Sequence, residues 1–307
     1  MKKILFIGIG QEHGPKQRMT KALLEKGAEY IYAKWSDLSF LGDKMYVQTQ
    51  EIDFNEIGGV FFDIPRLSTT IKVAGKAKGS MDFHLENEMH SLLTILKEKN
   101  IYAPNRDFLL KHPYYNKFSQ AHIFACNTIA AIPTLHLCDN KKQKIAEMFA
   151  VAGFDFPIVA KESYGGQGEK VWKITNQKEL EAFIENRRNV NVVWQPFVKN
   201  DADYRVIVVG GECLGTMKRS AKEGEWKNNF SLGGDVAKHA DEEMQKFAVE
   251  ACRKMKLDIA GLDIFATQNG YLIIEANLFF GLDGFESVFQ DLDVSGKILE
   301  MIINKTK

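Results

Sequence analysis

LDIAGLDIFATQNGYLIIEANLFFGLDGFE, residues 257–286, decides how this chain is read. Ile259–Thr267 and Tyr271–Ala276 are rich in β-branched and aromatic residues, and Gln268, Asn269 and Gly270 between them signal a hairpin. Turn length sets which side chains meet. A two-residue Asn269-Gly270 turn pairs Gln268 with Tyr271, puts Asp263 opposite Ala276 and sends Glu275 to the other face. A three-residue Gln268-Asn269-Gly270 loop, with Gly270 in the left-handed position, puts Asp263 opposite Glu275, with Asn277 next on that face. The second register gathers three oxygen donors of the kind that hold Mg²⁺ while phosphate oxygens and water complete its shell. The competing reading is a plain polar strand end. A carboxylate directly after Leu272-Ile273-Ile274, however, needs a partner if the strand is central.

Upstream, Asp241 caps a predicted helix with Met244, Phe247, Ala248, Ala251, Cys252 and Met255 at core spacing. Tyr204–Val209 and Glu212–Lys218 flank Gly210-Gly211, a two-residue hairpin signal, so this half of the chain reads as antiparallel. A loop rich in Lys, Gly and Asn covers 220–234, and Ser295–Ile303 closes the chain as a helix. Further back, Pro157–Lys161 is a strand entering KESYGGQG (161–168), and Val171–Ile174 returns, which makes the glycine loop a hairpin tip. Asn176 and Glu179 form a capping box for a helix to about Glu185, and Val192–Gln195 is the next strand. Helices are also expected over Tyr115–Cys126, with Lys117 near its start, and Asp139–Ala152, ended by Gly153.

At the N-terminus, strand Ile4–Ile7, helix Pro15–Lys26 and strand Tyr30–Ala33 suggest a parallel sheet. GIGQEHG (8–14) lacks the GxGxxG spacing and reads as a strand-to-helix turn. Val60–Ile64 is a further strand; Asp82 is expected to cap a helix to about Lys99 with Met89, Leu92, Leu93 and Leu96 inside, before a short strand Ile101–Ala103. KVAGKAKG (72–79) reads equally as a phosphate contact or a solvated loop. A boundary is expected near 105–113.

The 307 residues suffice for two or three subdomains, and 40 basic against 40 acidic residues leave a formal net charge of zero. Nothing in that balance recruits nucleic acid or a membrane surface. Four cysteines without CxxC or zinc spacing read as reduced, mostly buried thiols of a cytoplasmic protein. The run after Lys2-Lys3 is too short for a signal sequence, and nothing approaches the roughly 20 apolar residues of a membrane span.

Gly165, Gly166, Gln167 and Gly168 leave backbone N–H groups open to phosphate oxygens, although the Walker pattern is absent. Lys117 and Lys161 place ammonium groups where α- and β-phosphates can pair with them. Gln195-Pro196-Phe197-Val198 is a linker suited to a purine. Asp203 suits a ribose hydroxyl, and Arg205 or Arg219 suits a transferring phosphoryl group, against the simpler reading of cross-strand ion pairs.

These stretches, with 195–210, 219–234 and 261–286, resemble the ATP-grasp ligases, and more narrowly the RimK-like ligases that add glutamate or other amino acids to a carboxyl terminus. The resemblance implies an α/β fold, α+β in its C-terminal part. It comprises a Rossmann-like pre-ATP-grasp domain (1–107), an ATP-grasp lid subdomain (108–194) and a large subdomain carrying the Mg/ATP site (195–307). It also implies that Lys117, Lys161 and the 165–168 loop hold ATP phosphates, that 195–198 receives adenine, and that Asp203 binds ribose. Asn229 would contact nucleotide or metal, and Asp263, Glu275 and Asn277 would hold Mg²⁺, for which Mn²⁺ can substitute. Arg219, Arg205 and Lys227 form the candidate catalytic set. The implied partners are a carboxylate-bearing small molecule, peptide or protein tail and an amine donor, in a homo-oligomer. The implied chemistry is amide formation through an acyl phosphate; a kinase-like phosphotransferase and a non-catalytic nucleotide-binding regulator are the alternatives. Two departures stand out. Leu278-Phe279-Phe280-Gly281 replaces the family's small residue, Ser, Pro, Gly, and Lys227 and Leu232 stand where arginines are frequent, which weakens the expectation of a glutamate-type substrate. With the resemblance in view, the three-residue loop is the expected register.

Overall fold

The computed structural model describes residues 2–8, 14–63, 70–73, 81–138, 142–163, 170–187, 191–221 and 235–306. Strand β1 (Lys3–Gly8), helix α1 (Gly14–Glu25) and strand β2 (Tyr30–Lys34) follow the apolar periodicity, and Gly27 closes the helix at φ +60°. Three short strands follow, β3 (Leu38–Leu41), β4 (Lys44–Val47) and β5 (Gln50–Glu51), paired antiparallel. The sequence carries little signal for them, because strands this short bury few side chains, Met45 foremost. β6 (Ile57–Phe62) then joins β1, giving a parallel sheet in the order β2-β1-β6.

Asp82 does not cap a helix. It lies in β8 (Met81–His84), opposite Lys72 of β7 (Thr70–Val73), and this ladder keeps the segment extended until α2 (Leu85–Glu98) begins. Helix α2 buries Met89, Leu92, Leu93 and Leu96 as its spacing requires. The expected strand 101–103 is reduced to one parallel bridge, Tyr102 to Gly59. Within 105–113, where the apolar periodicity lapses, a short helix α3 (Arg106–Lys111) forms.

Asn105, just before α3, is buried with φ +58°. Its Oδ1 accepts the N–H groups of Asp258 and Ile259 at 2.7 and 3.1 Å, and its Nδ2 donates to the Ile259 carbonyl at 2.8 Å. These bonds tie the segment before α3 to the start of the hairpin at 259–277. Asn105→Ala leaves buried backbone groups unmatched and is expected to lower unfolding free energy by about 2–4 kcal/mol. Urea denaturation reads this, and a loss below about 0.5 kcal/mol would show that the bonds add no net stability.

Helix α4 (Lys117–Cys126) starts at a capping box made by Asn116 and Ser119. A small antiparallel sheet follows, built from β9 (Leu135–His136), β10 (Ile158–Glu162), β11 (Val171–Ile174) and β12 (Val192–Pro196) in the order β11-β10-β12-β9. It is covered by α5 (Lys142–Ala152) and α6 (Gln177–Asn186). Asn176 caps α6 as expected, but the Glu179 carboxylate reaches back to the Thr175 N–H instead of closing the box. The five-stranded antiparallel sheet has the order β15-β14-β13-β16-β17, from β13 (Ala202–Val209), β14 (Glu212–Ser220), β15 (Asp235–His239), β16 (Ile259–Thr267) and β17 (Gly270–Asn277). Helices α7 (Glu242–Met255), α8 (Asp283–Val288) and α9 (Val294–Lys305) complete the chain.

Side-chain packing joins segments far apart in the sequence. Phe108, Leu109, Ile123, Phe124 and Ile129 share a core with Val206, Ala248, Ile264 and Ile273, so 108–131 packs with the large sheet. The small sheet's own core runs from Leu137 to Trp194. The N-terminal sheet shares both of its faces: Leu5 and Ile7 join that first core, while Ile4 and Phe6 pack with Ile207, Val209 and Ile302. Two cysteines, Cys126 at the last position of α4 and Cys138 in the bend after β9, are exposed, not buried as expected. Among the described residues no helix is long and apolar enough to cross a membrane.

Candidate active site

The hairpin β16–β17 brings Asp263 opposite Glu275, and Gly261 opposite Asn277. Neither turn weighed from the sequence produces this. Thr267 pairs with Gly270 around a two-residue Gln268-Asn269 turn, and the register then shifts by one between Asp263 and Ile264. Ile264 faces Ile273 and Asp263 faces Glu275, so Ile274 is the extra residue of a β-bulge. The expected three-residue loop is thus corrected: the bulge, not the turn, selects the carboxylate. Gly270 does take a positive φ, +107°.

Strand alternation puts Asp203, Arg205, Ile207 and Val209 on one face of β13. The apolar end of this face packs under α8 and α9 through Phe285 and Ile298, and its other end is charged. Asp203 faces Arg219 across β14, and Arg205 faces Asp263 across β16. Arg205 Nε and Nη2 each donate to the Asp263 carboxylate at 2.8 Å, a two-point contact. Arg219 Nη2 lies 3.0 Å from Asp263, and Arg219 Nε donates to Asp203. Arg219 and Asp203 are each 6% exposed, so in this state Arg219 is held between two carboxylates and Asp203 is engaged with it. Burial works against the charge of Asp263, but Arg205 and Arg219 outweigh it and hold the carboxyl at about 2.

Across the cleft, Lys117 Nζ stands 3.7 Å from Glu275 Oε1. Lys161, at the end of β10, has its ammonium pushed down to about 8 by burial; Glu275 opposes this, Lys117 adds to it, and Asp263 and Asp203 oppose it. Lys117, Lys161, Gln195 and Ile274 line one pocket, between α4, the small sheet and β17. The bulge residue therefore forms part of its wall. Gln195 is buried and donates to Thr134 Oγ1 at 2.8 Å, while Pro196, Phe197 and Val198 carry the chain from the small sheet towards the large one. Phe197 N–H donates to the Pro157 carbonyl, and Lys173 Nζ lies 3.8 Å from the centre of the Phe197 ring. Gly165, Gly166, Gln167, Gly168, Lys227, Asn229 and Leu232 lie outside the described residues.

Lys117, Lys161, Arg205 and Arg219 face Asp203, Asp263 and Glu275, an excess of positive charge suited to a polyphosphate. Among the described residues no group of three or more His, Cys, Asp and Glu is placed to hold a metal ion. The hairpin offers instead an oxygen-only set of two carboxylates and one amide, which fits Mg²⁺, an ion that takes few protein ligands and completes its shell with phosphates and water. Asp263 stays ionised and a carboxylate has about four acceptor positions, so the arginines leave it capacity. Beyond Asn277, Leu278 is buried, and the Phe280 ring lies on Gly261, where an added Cβ would meet its Cγ at 3.1 Å.

Sequence reasoning missed Tyr115 and Gln120. Both contact β17 from more than 150 residues away, the Tyr115 hydroxyl donating to the Ala276 carbonyl and the Gln120 amide oxygen accepting from the Ala276 N–H. No local pattern announces such contacts.

The fold is that of the ATP-grasp ligases: the chain is similar throughout to the ATP-grasp ligase PsnB complexed with a phosphomimetic variant of its minimal precursor, Mg and ADP, with a TM-score of 0.73, 18% identity and coverage of 100% of this chain and 99% of that one. Residues 115–302 match the RimK-like ATP-grasp domain, and the chain belongs to that family. It is 35% identical over 156 residues to a probable alpha-L-glutamate ligase 2 of Pseudoalteromonas atlantica, covering 49% of this chain and 52% of that protein. It is 34% identical over 152 residues to the ribosomal protein bS6–L-glutamate ligase of Escherichia coli, covering 48% of this chain and 50% of that protein. The chain thus spans about half the length of these curated relatives.

Proposed function

We propose that the protein is an ATP- and Mg²⁺-dependent carboxylate–amine ligase. The observation that carries this is the convergence, in one cleft, of Lys117 and Lys161 with the bulge-set pair Asp263 and Glu275. Lys117, Lys161 and residues 165–168 bind ATP phosphates, and Gln195–Val198 receives adenine. Asp203 offers the oxygen left over by Arg219 to the ribose. Asp263, Glu275 and Asn277 hold Mg²⁺, or Mn²⁺ in its place, which when bound neutralises charge on the phosphates. Arg205 and Arg219 act first as positioning residues that orient Asp263 and keep it ionised.

In the reaction, a carboxylate oxygen of the acceptor attacks the γ-phosphorus and ADP leaves. The amine attacks the acyl carbon of the resulting acyl phosphate, phosphate departs with one former carboxylate oxygen, and the amine loses a proton. Lys161 stays a cation near neutral pH and keeps its charge on the phosphates. The names of similar proteins, a ribosomal protein bS6–L-glutamate ligase and the ligase PsnB complexed with precursor peptide PsnA2, support a peptide or protein tail as acceptor. The parallel N-terminal sheet supports a Rossmann-like domain at 1–107, and the separate core of the small sheet supports a lid subdomain within 108–194.

Mass spectrometry after incubation with ATP, Mg²⁺ and pooled carboxylates and amines tests the reading. A product with the mass of acceptor plus amine minus water is expected. A stable phosphorylated acceptor formed without amine would assign a phosphotransferase instead.

A further inference from the structure

Strand β17 is an edge strand of the five-stranded sheet, so the backbone groups on its outer side need partners from elsewhere. At Ile273 the backbone supplies them: its N–H donates to the Ala130 carbonyl at 3.0 Å, and its carbonyl accepts from the Ile132 N–H at 3.1 Å. In a regular strand the next outward-facing residue would be Glu275. The bulge at Ile274 postpones it to Ala276, whose two backbone groups are met by side chains. Gln120 Oε1 accepts the Ala276 N–H at 2.9 Å, and the Tyr115 hydroxyl donates to the Ala276 carbonyl at 3.0 Å. Gln120 is 7% exposed, and the backbone donor fixes which end of its amide faces the strand.

Ala276 lies between Glu275 and Asn277, and its own side chain is fully buried in the core. We propose that Gln120 and Tyr115 are positioning residues for the metal-ion site. Anchored at Ile273 on one side and at Ala276 on the other, the bulge cannot slide along the strand. A slip of one residue would set Ile274, not Glu275, opposite Asp263 and turn the donor set away. The clasp also belongs to the α4 region, which carries Lys117, so one segment places both the cation and the carboxylate 3.7 Å from it. This inference rests on the reading of Glu275 and Asn277 as metal ligands.

The test is Mn²⁺ binding to the full chain with a non-hydrolysable ATP analogue, followed by electron paramagnetic resonance of free Mn²⁺. Gln120→Met, which removes the acceptor at similar volume, is expected to weaken Mn²⁺ about 10- to 100-fold. Affinity for the analogue in EDTA is expected to stay within about threefold of the parent. Gln120→Glu keeps an oxygen acceptor and is expected to retain Mn²⁺ within about threefold. Should Gln120→Met not fold, Tyr115→Phe deletes one bond to the same residue and is expected to weaken Mn²⁺ about fivefold. Parent-like Mn²⁺ binding in Gln120→Met or, where that fails to fold, in Tyr115→Phe would overturn the clasp, provided Glu275→Gln loses the ion. Parent-like binding in Glu275→Gln itself would remove the ligand assignment, and the clasp's role with it.

Discussion

Replacing Glu275 with Gln is expected to reduce ADP formation by at least about 100-fold while the folded structure persists. The substitution keeps shape and removes one charge. In the native site the Glu275 carboxylate has Lys117 3.7 Å away, none of the described arginines is paired with it, and its side chain keeps 26% of its exposure, so its replacement disturbs the fold less than removal of a carboxylate held by two arginines. Asp263 is different. Its carboxylate sits against both Arg205 and Arg219, so Asp263→Asn breaks a buried network and is expected to cost about 3–5 kcal/mol of stability. Loss of activity there would mix unfolding with chemistry. Glu275 therefore isolates the metal role: circular dichroism should be unchanged while steady-state ADP release collapses, and normal turnover in the variant would contradict the assignment.

Nucleotide affinity is expected to fall about tenfold between pH 7 and pH 9 through deprotonation of Lys161. Burial lowers this ammonium from the ordinary lysine value of 10.5 to about 8, so without nucleotide it is losing its charge in that window. The sign for stability is opposite. Between about 8 and 10.5 the unfolded chain holds the proton that the folded chain has released, so raising the pH through that range stabilises the fold. Phosphate oxygens favour the ammonium, so binding tightens as pH falls through about 8 while the contribution of Lys161 to stability declines. Lys161→Arg should flatten the pH profile of affinity, and Lys161→Ala should weaken binding throughout. Calorimetric titration with ADP across the range reads both, and an affinity in Lys161→Ala equal to the parent's would remove the lysine from the phosphate site.

Much of this architecture was legible where the signal is local. Asp241 and Asn176 cap their helices as short-range chemistry requires, and Gly210 and Gly211 take the positive φ that their hairpin demands. The pairing of Asp263 with Glu275 was legible only as an outcome. Its cause, a bulge at Ile274 stabilised by Ala130, Ile132, Tyr115 and Gln120, depends on contacts spanning more than a hundred residues. The same holds for Asp82, whose cap-like position yields to strand pairing with Lys72, and for 108–131, whose helices fill the large sheet's core. Arg205 and Arg219 show the two readings meeting: each is a cross-strand ion pair, and each aims at the carboxylate that the proposed chemistry uses.

The most direct test of the ligase account is the fate of carboxylate oxygen. With acceptor carboxylates labelled with ¹⁸O, reaction with ATP, Mg²⁺ and amine should transfer one ¹⁸O atom to inorganic phosphate for each amide formed, because the acyl–oxygen bond breaks as the amine adds. Unlabelled phosphate accompanying amide formation would contradict the acyl phosphate route.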